Sequence, residues 1–130
     1  MTDEILKQIA DCGFTSVPLE YGTVQDKLAA LELFRKYGLK CSALMDMRIH
    51  DLILPVREDW NHPNSLITQD QVDEIVKAVI ADYVGYEDVI DGWWIMDEPG
   101  AGAFGLIGKV VNAFHRFAPD DYKVQVELSL

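Results

Sequence analysis

At 130 residues the chain is long enough for one domain with its own core, and nothing in its length calls for a second. Hydrophobic residues make up 49% and charged residues 25%, interleaved throughout, which excludes a disordered chain. A formal charge of −11 opposes nucleic acid and anionic lipid, which would repel the chain before any specific contact formed, and leaves a neutral or cationic partner.

The first element is a helix in "TDEILKQIADCG", with Thr2 as N-cap, Ile5, Ile9 and Cys12 along one stripe and Gly13 at the left-handed C-cap position. This opening stretch contains acids and no apolar run of signal-peptide length. Apolar stretches elsewhere are too short to cross a bilayer, so these residues carry no export or membrane address and imply a cytoplasmic chain by default. Cys12 and Cys41 show neither CxxC spacing nor a disulfide framework and read as reduced thiols.

"FTSVPLE" follows as a short strand. "TVQDKLAALELFRKYG" returns to helix through Leu28, Leu31 and Phe34 and ends at Gly38, and "KCSALMD" is the next strand. Residues 47–67 contain two prolines and no sustained period, which predicts a long loop, a class of segment that is often functional in compact domains. Thr68 to Tyr83 forms an amphipathic helix through Val72, Ile75, Val76, Val79, Ile80 and Tyr83, opened by the capping-box pattern "TQDQ". "GWWIMD" is a strand, 103–118 a helix through Phe104, Ile107, Val111 and Phe114, and "KVQVELSL" a last strand. Four helices alternating with four strands predict an α/β fold with a parallel sheet, undivided by any linker or repeat.

A parallel sheet gathers its strand C-termini at one edge, where ligands bind. That edge should collect Glu20, Asp46, Glu98 and Glu127, with Arg48 and His50 just past Asp46. Acidic rim loops are common in so acidic a protein, but Glu98 has a distinctive approach. Strand alternation places Trp94, Met96 and Glu98 on one face and Trp93, Ile95 and Asp97 on the other, so Glu98 is expected among bulky apolar neighbours that favour its protonated form. A carboxyl held protonated can donate to a leaving oxygen, as in glycoside hydrolysis, and indole rings suit the apolar faces of sugars. The competing reading is that the tryptophans are core and the two acids cap the following helix.

"GWWIMDEPGAGAF", together with "ADCGFTSV", "FRKYGLKCSALMD", "HPN" and "FAPD", resembles the N-terminal half of the clan A (β/α)8-barrel glycoside hydrolases, particularly those similar to family 42 β-galactosidases. The resemblance covers nearly the whole chain and implies a partial TIM barrel, strands two to five, with Glu98 as acid/base at the end of strand four. It places Asp97 where an Asn often contacts the substrate hydroxyl. Asp46, Arg48, Glu20, Trp94 and Glu127 complete the expected substrate-binding set. The nucleophile of the retaining enzymes belongs to strand seven, so the resemblance implies that this stretch lacks it, and no cofactor or metal is implied.

One rival remains in the sequence. "GAGAFG", residues 100–105, matches G-x-G-x-x-G between a strand and a helix, with Glu127 in the place of a ribose-binding acid. Against it, Asp97, Glu98 and Pro99 separate the strand from the first glycine and set two carboxylates where a pyrophosphate must approach. The histidines lack zinc-site spacing, and no serine or cysteine has a nucleophile motif. A half-barrel would leave one sheet face and two strand edges open, so a homodimer or a complementary half-barrel is expected to cover them. Two function classes follow: a glycosidase, or its acid/base-bearing part, acting on a carbohydrate substrate, and a non-catalytic carbohydrate-binding or assembly half-barrel.

Overall fold

The computed structural model describes residues 1–118 and, as backbone, residues 123–127. Along it run α1 (Asp3–Asp11), β1 (Ser16–Leu19), α2 (Val24–Lys36), β2 (Lys40–Met45), α3 (Met47–Glu58), α4 (Gln69–Asp82), β3 (Gly92–Asp97), α5 (Phe104–Phe117) and β4 (Lys123–Glu127). Short 3₁₀ turns occupy Pro63–Leu66 and Ala101–Ala103. The strands form one sheet in the order β1-β2-β3-β4, each neighbouring pair parallel. The chain is therefore α/β with a parallel sheet. The expected extension of the last strand to Leu130 lies outside the described residues.

Local chemistry accounts for the best-defined helices. Thr23 accepts from the Asp26 amide at 3.1 Å while Asp26 accepts from the Thr23 amide at 3.1 Å, and Thr68 and Gln71 do the same at 3.2 and 3.0 Å. These reciprocal capping boxes satisfy backbone donors that have no partner inside a helix. Where α1 and α2 end, Gly13 and Gly38 take φ of +89° and +67°, backbone that glycine adopts without a Cβ penalty.

Three expectations are corrected. Residues 47–58 are helical and not part of a long loop, which makes five α-helices among the described residues instead of four. Ile49, Leu52, Ile53 and Val56 repeat at helical spacing and are all buried, and Asp46 caps the first turn by accepting from the Arg48 amide. That burial outweighs the hydrogen bond lost at Pro55, inside the helix. In α1 the inward residue is Leu6, flanked by half-buried Ile9 and Ala10, whereas Ile5 and Cys12 face solvent, about a quarter-turn from the expected stripe. In α5 the buried set is Leu106, Ile107, Val110, Ala113 and Phe114, and Phe104 is exposed.

The helices share one core with the sheet, centred on Trp93. Its ring meets Tyr83, which follows α4, edge-on at 5.5 Å and 73°, and Phe114 of α5 at 5.0 Å and a 35° tilt. Asp73 on α4, also buried, accepts from Gln69 at 2.9 Å and from Arg116 of α5 at 2.7 Å, which fixes the register between those two helices. Trp93, Ile95 and Met96 are all buried in this core, whereas Trp94 between them is half-buried.

The two thiols differ sharply in setting. Cys12 is exposed, while Cys41 is fully buried in β2 and burial pushes its thiol up to about 12. A thiol-disulfide reagent at pH 8 is therefore expected to modify one thiol rapidly in the folded protein and the second only after denaturant is added. Two fast equivalents in the native state would contradict this packing.

Candidate functional site

The parallel sheet carries Glu20, Asp46, Asp97 and Glu127 to one edge, since each follows or closes a different strand. The rim is stepped. Met45 pairs with Trp94 and Asp97 with Glu127, so Asp46 lies level with Ile95, three residues short of Glu98. At a rise of roughly 3.3 Å per residue that is about 10 Å of depth along the sheet. The side chain of Glu127 lies outside the described residues, and Glu20 is half-buried.

Asp46 is 3% exposed and fully engaged. Its oxygens accept from the Arg48 amide at 2.9 Å, from Arg48 Nε and Nη2 at 2.9 Å each, and from the Tyr83 hydroxyl at 3.2 Å. Arg48 reaches on to Asp82 at 2.8 Å. The buried Lys27 donates to the carbonyl oxygen of Met45 beside this group. Burial raises the Asp46 carboxyl, but the Arg48 hydrogen bonds and the charges of Arg48 and Lys27 outweigh it and hold the group below its ordinary value. Lys27 is lowered, chiefly by burial, and Tyr83 is raised, chiefly by burial and then by Asp46. Arg48 is raised, first by its hydrogen bonds to Asp46. Asp46 and Arg48 thus direct their hydrogen bonds inward, tying the start of α3 to the end of α4.

Asp97 and Glu98 contrast with this. Both are exposed, and among the described residues neither side chain makes a hydrogen bond or ion pair. They do not cap the following helix: Gly100 and Ala103, which precede the 3₁₀ turn and α5, show no side-chain capping bond. Glu98 is the one non-glycine among the described residues with positive φ, at 45°. A bulky residue in the left-handed region costs about 1–3 kcal/mol and persists where the surroundings impose it, most often at functional sites.

The apolar recess expected around Glu98 is not formed by the described residues. β3 ends at Asp97, its pairing with β4 shifts between Trp94 and Met96, and the left-handed turn then carries Glu98 out of the strand's alternation. Met96 is buried in the core and Trp94 is half-buried.

Sequence periodicity missed the aromatic residue that does lie beside this turn. Trp60, between α3 and the 3₁₀ turn at Pro63–Leu66, is 65% exposed. A Cβ built on Gly102 would sit 2.4 Å from Cγ and Cδ1 of its indole, and one on Gly100 would sit 3.7 Å from Nε1. The ring therefore lies over Gly102, where a Cβ would clash, and in ordinary contact with Gly100. The same contact argues against "GAGAFG" as a phosphate cradle, because the indole occupies the space over its second glycine.

Gly102→Ala tests the contact. Gly-to-Ala replacements at compatible positions stabilise by about 0.4–1 kcal/mol. Here the methyl would meet Cγ and Cδ1, at the base of the ring, and must displace the whole indole. A loss of stability in place of that gain is expected, accompanied by a clear shift of the Trp60 indole N–H resonance. An unmoved resonance would place the ring elsewhere.

Clefts indent the surface of the described residues, three of them near the elements above. One of about 390 Å³ is lined by Leu19, Tyr21, Gly22 and Lys27, and one of about 290 Å³ by Gly22, Lys27, Asp46 and Arg48. The third, of about 660 Å³, lies between α3 and α4 along Leu52, Ile75 and Ala78. Among the described residues Asp97 and Glu98 line none of the three. His62 accepts from the Asn64 amide at 3.1 Å and so caps a turn, and His50 lies 3.1 Å from Asp51. No helix among the described residues is long and apolar enough to cross a membrane. Comparison with family models, curated proteins and solved structures finds no match to the chain.

Proposed function

We propose that the chain is the acid/base-bearing half of a glycoside-hydrolysing (β/α) barrel, with its four parallel strands standing as barrel strands two to five. The observation that carries the reading is Glu98. Its carboxylate is exposed at the end of an interior strand, held by left-handed backbone and committed neither to a helix cap nor to an ion pair among the described residues. A carboxyl group free of structural duties at that edge can, when protonated, give its proton to a glycosidic oxygen as the C1–O bond breaks; with retention it takes one back from the attacking water, and with inversion the second carboxylate takes it.

Such chemistry needs a second carboxylate, roughly 5 Å away for retention and about 6.5–9.5 Å for inversion. It also needs walls that exclude water. In this reading both come from a second copy or a complementary half closing over the sheet face that carries Trp94. In support, Trp94 is half-buried, which leaves part of its ring for such a partner to cover.

The exposure of Glu98 favours a second reading, in which the rim binds carbohydrate without turning it over. Assaying the chain on a panel of aryl glycosides across micromolar concentrations separates the two. Release of the aryl alcohol that depends on Glu98 supports the hydrolase. Binding of oligosaccharide with no release supports the binding half-barrel, and neither activity in a chain that sediments as a monomer overturns both.

A further inference from the structure

We infer that Trp60 is a stacking platform for a neutral pyranose unit next to Glu98. This rests on the carbohydrate reading above and assigns the residue that would hold the sugar. The indole is the exposed aromatic group on this part of the rim that is also braced from behind, by Gly100 and Gly102. Gly100 is two residues from Glu98, a chain distance of at most about 7 Å.

A tryptophan in solvent exposes a large apolar surface, and a surface position alone does not require the glycine at 102 under the ring, beside which Gly100 makes ordinary contact. Packing against them fixes one side of the indole, so little side-chain freedom is lost when a ligand covers the other. The ligand that suits a flat, uncharged, π-rich face with exposed carboxylates nearby is a ring with a patch of C–H groups on one side and hydroxyl donors at its edge. A neutral pyranose has both features. An anionic ligand would meet Asp97 and Glu98, and the net charge of −11 as well.

The test uses the full chain, ¹⁵N-labelled, titrated with methyl β-glucopyranoside, methyl β-galactopyranoside and, as a control without a flat C–H face, sorbitol. The indole N–H resonance of Trp60 is expected to move with at least one pyranoside and not with sorbitol. Read from the backbone amide resonances of residues 100 and 102, which persist in every variant, Trp60→Ala should weaken that affinity about tenfold and Trp60→Phe by less, because a smaller ring keeps part of the stacking. Gly102→Ala, which keeps the indole and moves it, should weaken binding as well, and circular dichroism should show all three variants folded.

Pyranoside binding unchanged in Trp60→Ala overturns the platform, and the hydrolase reading then stands or falls separately on Glu98→Gln. Binding lost in Trp60→Ala, in a chain without turnover, keeps the platform and removes the hydrolase. No pyranoside shift at all overturns the platform. So does a Trp60 signal that responds to chain concentration and not to sugar, which would assign the ring to a contact between copies.

Discussion

Glu98→Gln is expected to lower turnover of a phenyl glycoside by about 10²- to 10⁴-fold, the range over which a positioned general acid acts. The amide keeps the size and shape of the side chain but cannot release a proton. The Glu98 side chain makes no hydrogen bond or ion pair among the described residues, so its loss should leave folding intact. The loss should depend on the leaving group. A phenolate of high pKa departs only if protonated, whereas a dinitrophenolate departs unaided, so the deficit of the variant should shrink along that series. An equal loss for both leaving groups would move Glu98 from proton transfer to substrate binding, and an unchanged rate would remove it from the reaction. Because the second carboxylate is proposed to come from an associated half, the rate per chain should also rise with chain concentration.

The parts of the fold that were legible in the sequence are those whose causes are local. The Thr68–Gln71 capping box and the Val72, Val76, Val79 stripe specify α4 within one segment, and Gly13 and Gly38 mark helix ends because a positive φ is required there. The parallel sheet also followed, since a helix between successive strands makes a crossover that favours it. α3 was hidden by its own composition. Pro55 signals a break, and the stripe through Ile49, Leu52, Ile53 and Val56 outweighs it only once those side chains reach the core. Trp60 was invisible for a different reason. An isolated aromatic in a Pro- and Asn-containing turn has no period, and its partners Gly100 and Gly102 lie some forty residues away. The setting of Glu98 was misjudged because alternation holds only while a strand continues, and β3 stops one residue earlier.

Asp46, a rim carboxylate expected to bind substrate, also holds the rim together, and removing its partner should be costly. Arg48→Ala leaves a buried carboxylate with only the Arg48 backbone amide, the Tyr83 hydroxyl and the nearby charge of Lys27. Breaking a buried ion pair costs about 3–5 kcal/mol. The guanidinium is 39% exposed, so part of the interaction is screened by water, and a loss of about 3 kcal/mol in urea unfolding at pH 7 is expected. For a chain of this length that corresponds to a melting point lower by about 10 °C.

The dependence on pH follows from the depressed Asp46 carboxyl. A group lowered in the folded state contributes stability that is present above its unfolded value, 3.8, and is lost as pH falls through the folded value below it. In Arg48→Ala the opposing effect of burial prevails, and a protonated Asp46 no longer needs the guanidinium. The gap between wild type and variant should therefore be full at pH 7, begin to narrow as pH falls through the variant's raised value above 3.8, and close below the lowered value of the wild type. Asp46→Asn keeps the size of the side chain and an acceptor for the Arg48 amide. Combined with Arg48→Ala, it should cost less than the sum of the two single changes, because the buried charge is already gone. Additive losses, or a gap that stays constant down to pH 3, would mean that Arg48 acts through packing alone.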